Sequence, residues 1–194
     1  MKRPSPSTLA IAALAIAAVA LMLIVVPGSR RSEPSAAPAD PPAPAAAERK
    51  ITATLYYIAE DGMSLVGTQR EVPFGEGVLE QARHILAAQL GDAPAPLASA
   101  VPEGTALRAL YVTERGDAFV DLSSEARTNH TGGALDELFT VYAIVDALTV
   151  NLPAITRVQI LVDGKEVDTL AGHVDLRHPL EKSLQWVSGT KDES

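Results

Sequence analysis

FVDLS (119–123), RTNHTGG (127–133), ALDELFTVYAIVDALTVNLP (134–153) and RVQILVDGK (157–165) follow one another almost without interruption. The first run is short, β-branched and aromatic, and reads as a strand. A polar loop with a Gly-Gly pair comes next. Apolar residues then recur at helical spacing, and a second strand ends on Asp163-Gly164, a strong hairpin signal. In the helix, Leu135, Leu138, Val141, Tyr142, Val145 and Leu148 form one wide stripe. The opposite face is Asp136, Thr140, Ala143 and Ala147. A face so small and weakly polar predicts close approach of another element, in the favoured reading the domain itself and otherwise a partner. Pro153 stops the helix.

The flanking segments supply more strands and one more helix. Residues 105–113 and 118–122 read as a hairpin turning at Gly116. Phe119 and Leu122 cannot share a face of the returning strand, which predicts burial on both sides. Residues 77–90 form a helix whose stripe is Val78, Leu79, Ala82, Ile85, Leu86 and Leu90, closed by Gly91. ITATLYYI (51–58) and residues 65–72 pair across an Asp61-Gly62 turn, and Pro73 ends the second strand. Residues 92–104 are a proline-rich loop. After Gly164, residues 165–170 return as a strand, 173–176 add a short one before Pro179, and 188–194 are a polar tail. The expected fold class is α+β, with two helices packed on one side of a small mixed β-sheet with hairpins.

The first quarter of the chain has another character. Lys2 and Arg3 precede an uncharged run over 9–26, just long enough at about 18 residues to cross a bilayer as a helix. Basic residues before it favour a cytoplasmic tail at 1–8, against which Arg30 and Arg31 weigh. A cleaved secretory signal is the rival reading; no small-x-small site follows Val26 directly, although Ala45-Ala46-Ala47 lies further on. Either reading exports the remainder. Residues 27–49 are a Pro/Ala-rich linker with no apolar period, expected to be disordered. At about 3.1 Å per residue it would hold a domain up to roughly 60–70 Å from the membrane. The organisation expected is therefore tail 1–8, transmembrane helix 9–26, linker 27–49, domain 50–187 and polar tail 188–194, single-pass in the cytoplasmic membrane with the domain outside.

Charge and composition exclude several functions. The first 49 of the 194 residues hold five basic and three acidic side chains. The rest carries 11 basic against 21 acidic, a net −10 against −8 for the whole. So acidic a module repels phosphate backbones and anionic lipid, which argues against nucleic-acid binding. The chain has no cysteine, which removes disulfides, thiol catalysis, cysteine-metal sites and a lipidated-cysteine anchor.

Five motifs in order resemble the GerMN domain family, the module named after a spore germination and sporulation protein. They are Leu90-Gly91 closing a helix, LASAVPEGT (97–105), AFVDLS (118–123), the helix segment 141–149 and VQILVDG (158–164). The resemblance covers about residues 50–180. Asp146 departs from the asparagine that the family pattern places there. The resemblance implies an α+β domain without catalytic residues or cofactor, found in exported or membrane-anchored proteins beside cell-wall or signalling machinery.

Side chains that could carry chemistry were weighed singly. Asp121 and Ser123 lack the G-x-S-x-G elbow of a nucleophile and read as turn residues with local side-chain bonds. His84 lies opposite the apolar stripe and reads as a solvated surface residue. Gly75 and Gly77 precede a helix but lack the rest of a phosphate loop, so they read as a turn. His130 reads as a turn residue. His173, Asp175 and His178 bring ligand types together without a known metal-ligand spacing, and Asp163-Gly164 lacks the further acids of an ion loop. No catalytic, cofactor or metal site is expected. The function expected is a non-catalytic, membrane-anchored envelope module acting through protein–protein contacts, self-association included. Edge strands and the small-residue helix face are its candidate surfaces. A cell-wall glycan (peptidoglycan) module is the alternative, and a hydrolase ranks below both.

Overall fold

Alternating apolar and polar residues around the Asp61-Gly62 turn give the first hairpin, β1 (Lys50–Ile58) and β2 (Leu65–Pro73), paired antiparallel without a break in register. A computed structural model describes residues 49–189. The tail, transmembrane helix and linker expected over 1–49 lie outside the described residues save Arg49, as do residues 190–194. Among the described residues no helix is long and apolar enough to cross a membrane.

After β2 the chain turns through Gly75 into α1 (Gly77–Gln89). A Cβ at Gly75 would stand 2.5 Å from the backbone nitrogen of Gln81, so only glycine lets the turn lie this close to the helix. β3 (Leu107–Val112) and β4 (Asp117–Leu122) form the second hairpin, with a register shift between Leu107 and Ala109. α2 (Glu125–Thr128) and α3 (Ala134–Asn151) make the crossover to β5 (Arg157–Val162), which pairs parallel with β4. A parallel neighbour requires such a connection. β6 (Lys165–Glu166) and β7 (Leu180–Glu181) each pair antiparallel with β5.

The fold is α+β, as the apolar periods predict, but its strands fall into two sheets rather than one: β1–β2 alone, and a mixed sheet in the order β3-β4-β5-β6 with β7 also on β5. One core joins them. Leu55 and Tyr57 of β1, Ile85 and Leu86 of α1, Phe139, Ile144 and Leu148 of α3, and Leu122 and Ile160 of the mixed sheet are all buried. One face of β4, Ala118, Val120 and Leu122, is buried; on the other Asp121 is buried but Asp117 and Phe119 are only half-buried, so the expected burial on both sides is partial.

The small face of α3 is covered by the domain itself, the first of its two readings: Thr140, Ala143 and Ala147 are buried, which withdraws it as a candidate contact surface. Three expectations need correction. In α1, Leu79 is 42% exposed while Gln81 and Gln89 are buried, because both amides bond the backbone beside them. The return strand after Gly164 stops at Glu166 rather than Leu170, and residues 173–176 form no strand. The buried Glu137 carboxylate gathers that segment, accepting from the backbone N–H of Leu170 (2.7 Å), Ala171 (2.9 Å) and His173 (2.7 Å). A chain held to a carboxylate in this way cannot also donate those groups to a sheet.

Candidate functional site

Alternate residues of an antiparallel strand face its partner, and those between face away. In β1 the outward residues are Lys50, Thr52, Thr54, Tyr56 and Ile58. The last three are each met on the far side. The Asn151 side-chain amide accepts from Thr54 N–H (2.8 Å) and donates to its carbonyl (2.7 Å). Gln89 does the same for Tyr56, at 2.8 and 2.7 Å. Ile58 exchanges backbone bonds with Ala98, at 2.9 and 3.1 Å. Two helix-borne amides and one loop bridge therefore close this edge. The outer edge of β3 is also guarded, by the Arg83 guanidinium on the Leu110 carbonyl and by the register shift.

The outer edge of β2 differs. Its outward residues are Leu65, Gly67, Gln69, Glu71 and Pro73, the last with its carbonyl taken by the Gln81 amide (3.1 Å) and His84 (3.0 Å). Leu65 is engaged, since Ser188 N–H donates to its carbonyl (2.8 Å). The outward backbone groups of Gly67, Gln69 and Glu71 have no partner among the described residues, and all three residues are exposed. The Glu71 side chain reaches back to Lys50 at 3.4 Å. This is an unblocked strand edge, of the kind that pairs with another chain.

The side chains weighed for chemistry hold backbone instead. Asp121 is buried and accepts from Gly164 N–H (2.7 Å), which fixes the second hairpin turn of the mixed sheet; Arg108 lies 3.7 Å away and also pairs with Asp163. The Ser123 hydroxyl accepts from Ala106 N–H (3.0 Å). Both bonds are long-range, where the sequence reading has local ones. His84 is half-buried and its Nδ1 donates to the Pro73 carbonyl (3.0 Å), so it is not a free surface group. Nδ1 of His130 accepts from Gly132 N–H (3.0 Å), as a turn residue should, which leaves Nε2 to donate toward Thr140 Oγ1 at 3.3 Å. His173 Nδ1 stands 3.2 Å from Glu137, whereas Asp175 pairs with Arg177 (2.6 Å), so these two are drawn apart. Among the described residues no group of three acidic or histidine side chains is placed to hold a metal ion.

Three electrostatic settings stand out. Burial works against the charge of Glu137, but the N–H groups of Ala171, His173, Leu170 and Val174 together hold it below the usual carboxylate range. Arg177 holds the exposed Asp175 well below that range. Asp146 goes the other way. It is fully buried on α3, and one oxygen accepts from Ser183 N–H (3.0 Å) while the other has no partner. Desolvation pushes its pKa up to about 7, against the pull of Ser183 N–H and Lys182. Desolvation, then the charge of Asp146, raises the neighbouring Tyr56 to about 12.

A cleft of about 590 Å³ opens beside the Asp163-Gly164 turn, lined by Ser124, Arg127, Thr128, Asp163 and Lys165 among others. There Arg127 is turned to the Leu170 carbonyl and Asp163 to Arg108.

Sequence reasoning missed Gln81, Gln89, Glu137 and Asn151, the polar side chains that hold this surface together. Gln89 carried a signal: it lies four residues after Ile85 and between Leu86 and Leu90, on the apolar side of the helix.

Residues 54–168 match the family model described as Germane: Sporulation and spore germination. Among solved structures, a candidate lipoprotein from Clostridium perfringens is 27% identical, with a TM-score of 0.50 over 69% of this chain and 88% of that one. The tandem GerMN domains of the sporulation protein GerM from Bacillus subtilis give a TM-score of 0.55 at 19% identity, over 69% of this chain and 46% of that one. The first of those domains alone gives 0.50 at 18% identity, with 97% of it covered. The match to GerM thus spans about one of its two domains. No curated protein matches the sequence.

Proposed function

This chain belongs to the Germane family of sporulation and spore germination, and on that premise we propose that it is a non-catalytic envelope module acting through protein–protein contacts. The observation that carries the reading is how the polar side chains are used. Asp121, Ser123, His130 and Glu137 are each bound to backbone and His173 is paired with Glu137, while a run of backbone on β2 faces outward with no partner among the described residues. Such a surface recognises chain rather than transforming a small molecule. The segment 9–26 would hold the module at the cytoplasmic membrane and 27–49 would carry it outward. The acidic charge of the domain suits a surface kept off anionic headgroups.

The test is crosslinking of the full chain in intact membranes, set beside cosedimentation with cell-wall sacculi. A crosslinked protein adduct, no retention by sacculi and an unchanged phenotype for the Ser123→Ala/His173→Ala double variant are expected. Sedimentation with sacculi as an uncrosslinked monomer, or loss of function in the double variant, would contradict the proposal.

A further inference from the structure

The open edge of β2 is uncommonly free of the devices that blunt an edge strand. Its register with β1 runs unbroken from Lys50↔Pro73 to Ile58↔Leu65, so no bulge twists it away. Its proline, Pro73, stands at the end, and no lysine interrupts the outward run of Gly67, Gln69 and Glu71. The question is which strand fits there.

Charge and register choose among the occupants. A second copy of β2 can approach antiparallel about a two-fold axis, so the axis position decides every pair. An axis at Arg70 sets that guanidinium against itself, and an axis at Glu71 does the same with two carboxylates. Axes at Gly67 or Thr68 bring Leu65 into the pairing, and its carbonyl is already taken by Ser188. An axis at Gln69 opposes no like charges and sets Leu65, already bridged to Val187 and Ser188, only against the partner's Pro73 at the strand end, which has no N–H to give it. Gln69 then faces the partner's Gln69, Gly67 faces the partner's Glu71, Thr68 the partner's Arg70, and Val66 the partner's Val72. No like charges are opposed, and every unpartnered backbone group of the edge finds a donor or acceptor. The glycine also fits. A Cβ at position 67 would meet Thr54 Cγ2 at 3.2 Å and Tyr56 at 3.4 Å, so the β1 side chains favour a residue without one, and it adds no side chain of its own opposite the partner's Glu71.

We infer that β2 pairs with β2 of a second copy of this chain, antiparallel about Gln69, joining two hairpins into one four-stranded sheet. The inference rests on the reading that the module works through protein contacts, and it names one of those contacts.

The chain has no cysteine, so a single introduced thiol reports on one contact. Gln69→Cys and Glu71→Cys, both at exposed positions, are made in the full chain and oxidised in membranes. In the proposed register the two Cα atoms of residue 69 stand about 5.5 Å apart, within disulfide range, whereas those of residue 71 stand roughly 14 Å apart. Gln69→Cys is expected to give at least about tenfold more disulfide dimer than Glu71→Cys. Equal yields from the two, or no dimer from Gln69→Cys, would overturn the inference. A Gln69→Cys adduct with a different protein would overturn it too, yet leave the protein-contact reading standing. If neither thiol captures any protein and general crosslinking also fails, both fall.

Discussion

On one side of the first hairpin, Thr54, Tyr56 and Ile58 meet Asn151, Gln89 and Ala98; on the other, Gly67, Gln69 and Glu71 face outward with no partner among the described residues. Both borders belong to strands of equal length in one register. The difference lies in what the rest of the chain puts beside them. α1 and α3 each end on an amide, Gln89 and Asn151, that imitates a neighbouring strand with one donor and one acceptor. On β2 only the two ends are met, Leu65 by Ser188 and Pro73 by Gln81 and His84; among the described residues nothing comparable is built for Gly67, Gln69 and Glu71 between them. One edge is closed by two helix-end amides, Gln89 buried and Asn151 half-buried, and stabilises the fold; the other is left open along Gly67, Gln69 and Glu71 among the described residues.

The largest effect should come from opening the closed border. Gln89→Leu keeps most of the side-chain volume but leaves the buried N–H and C=O of Tyr56 unpaired. Each such group costs about 1–3 kcal/mol, so the variant should lose about 3–5 kcal/mol of stability in a urea titration. A loss below roughly 1 kcal/mol would show that water replaces the amide, and the contrast between the two borders would weaken accordingly.

Behind the same closed border sits Asp146, and its effect is smaller and depends on pH. Its folded pKa of about 7 lies above the ordinary 3.8, so between those values the folded chain holds a proton that the unfolded chain has released. Stability from this group is therefore full below about pH 4 and declines as pH rises through 7. Tyr56, Tyr142 and Lys182 face the same site; burial and the charge of Asp146 move both tyrosines upward, away from that window. Asp146→Asn keeps an acceptor for Ser183 and cannot ionise. It should flatten the decline between pH 5 and 8 and be more stable than the parent at pH 8 by roughly 2–3 kcal/mol. Parallel melting curves for the two proteins across that range would contradict the assignment.

Much of this architecture was legible because the signals are local. The Asp163-Gly164 turn carries φ of 52° and 73°, the paired left-handed residues that the dipeptide announces. α3 runs Ala134–Asn151 where its stripe predicts, and β5 lies on the VQILV run. What stayed hidden is of another kind. Gln89, Glu137 and Asn151 bind backbone groups, and a backbone group carries no mark in the sequence that says which side chain will reach it. Glu137 shortened a strand at a distance of more than thirty residues, which no periodicity could show. The asparagine that the family pattern places at position 146 did single out Asp146, but only the structure shows that the carboxylate is buried and half unpaired. The open edge was foreseen only as a class, since strands were expected to have edges. Which edge is closed depends on the helices that lie beside it.

Amide hydrogen exchange of the full chain, read at several protein concentrations, tests the contrast between the borders most directly. The amides of Thr54, Tyr56 and Ile58 should be protected to the same extent at every concentration, because their partners lie in the same chain. Those of Gly67, Gln69 and Glu71 should exchange fast when dilute and gain protection as the chain is concentrated and the β2 edges pair. Protection of those three that ignores concentration, or fast exchange at Tyr56, would contradict the account.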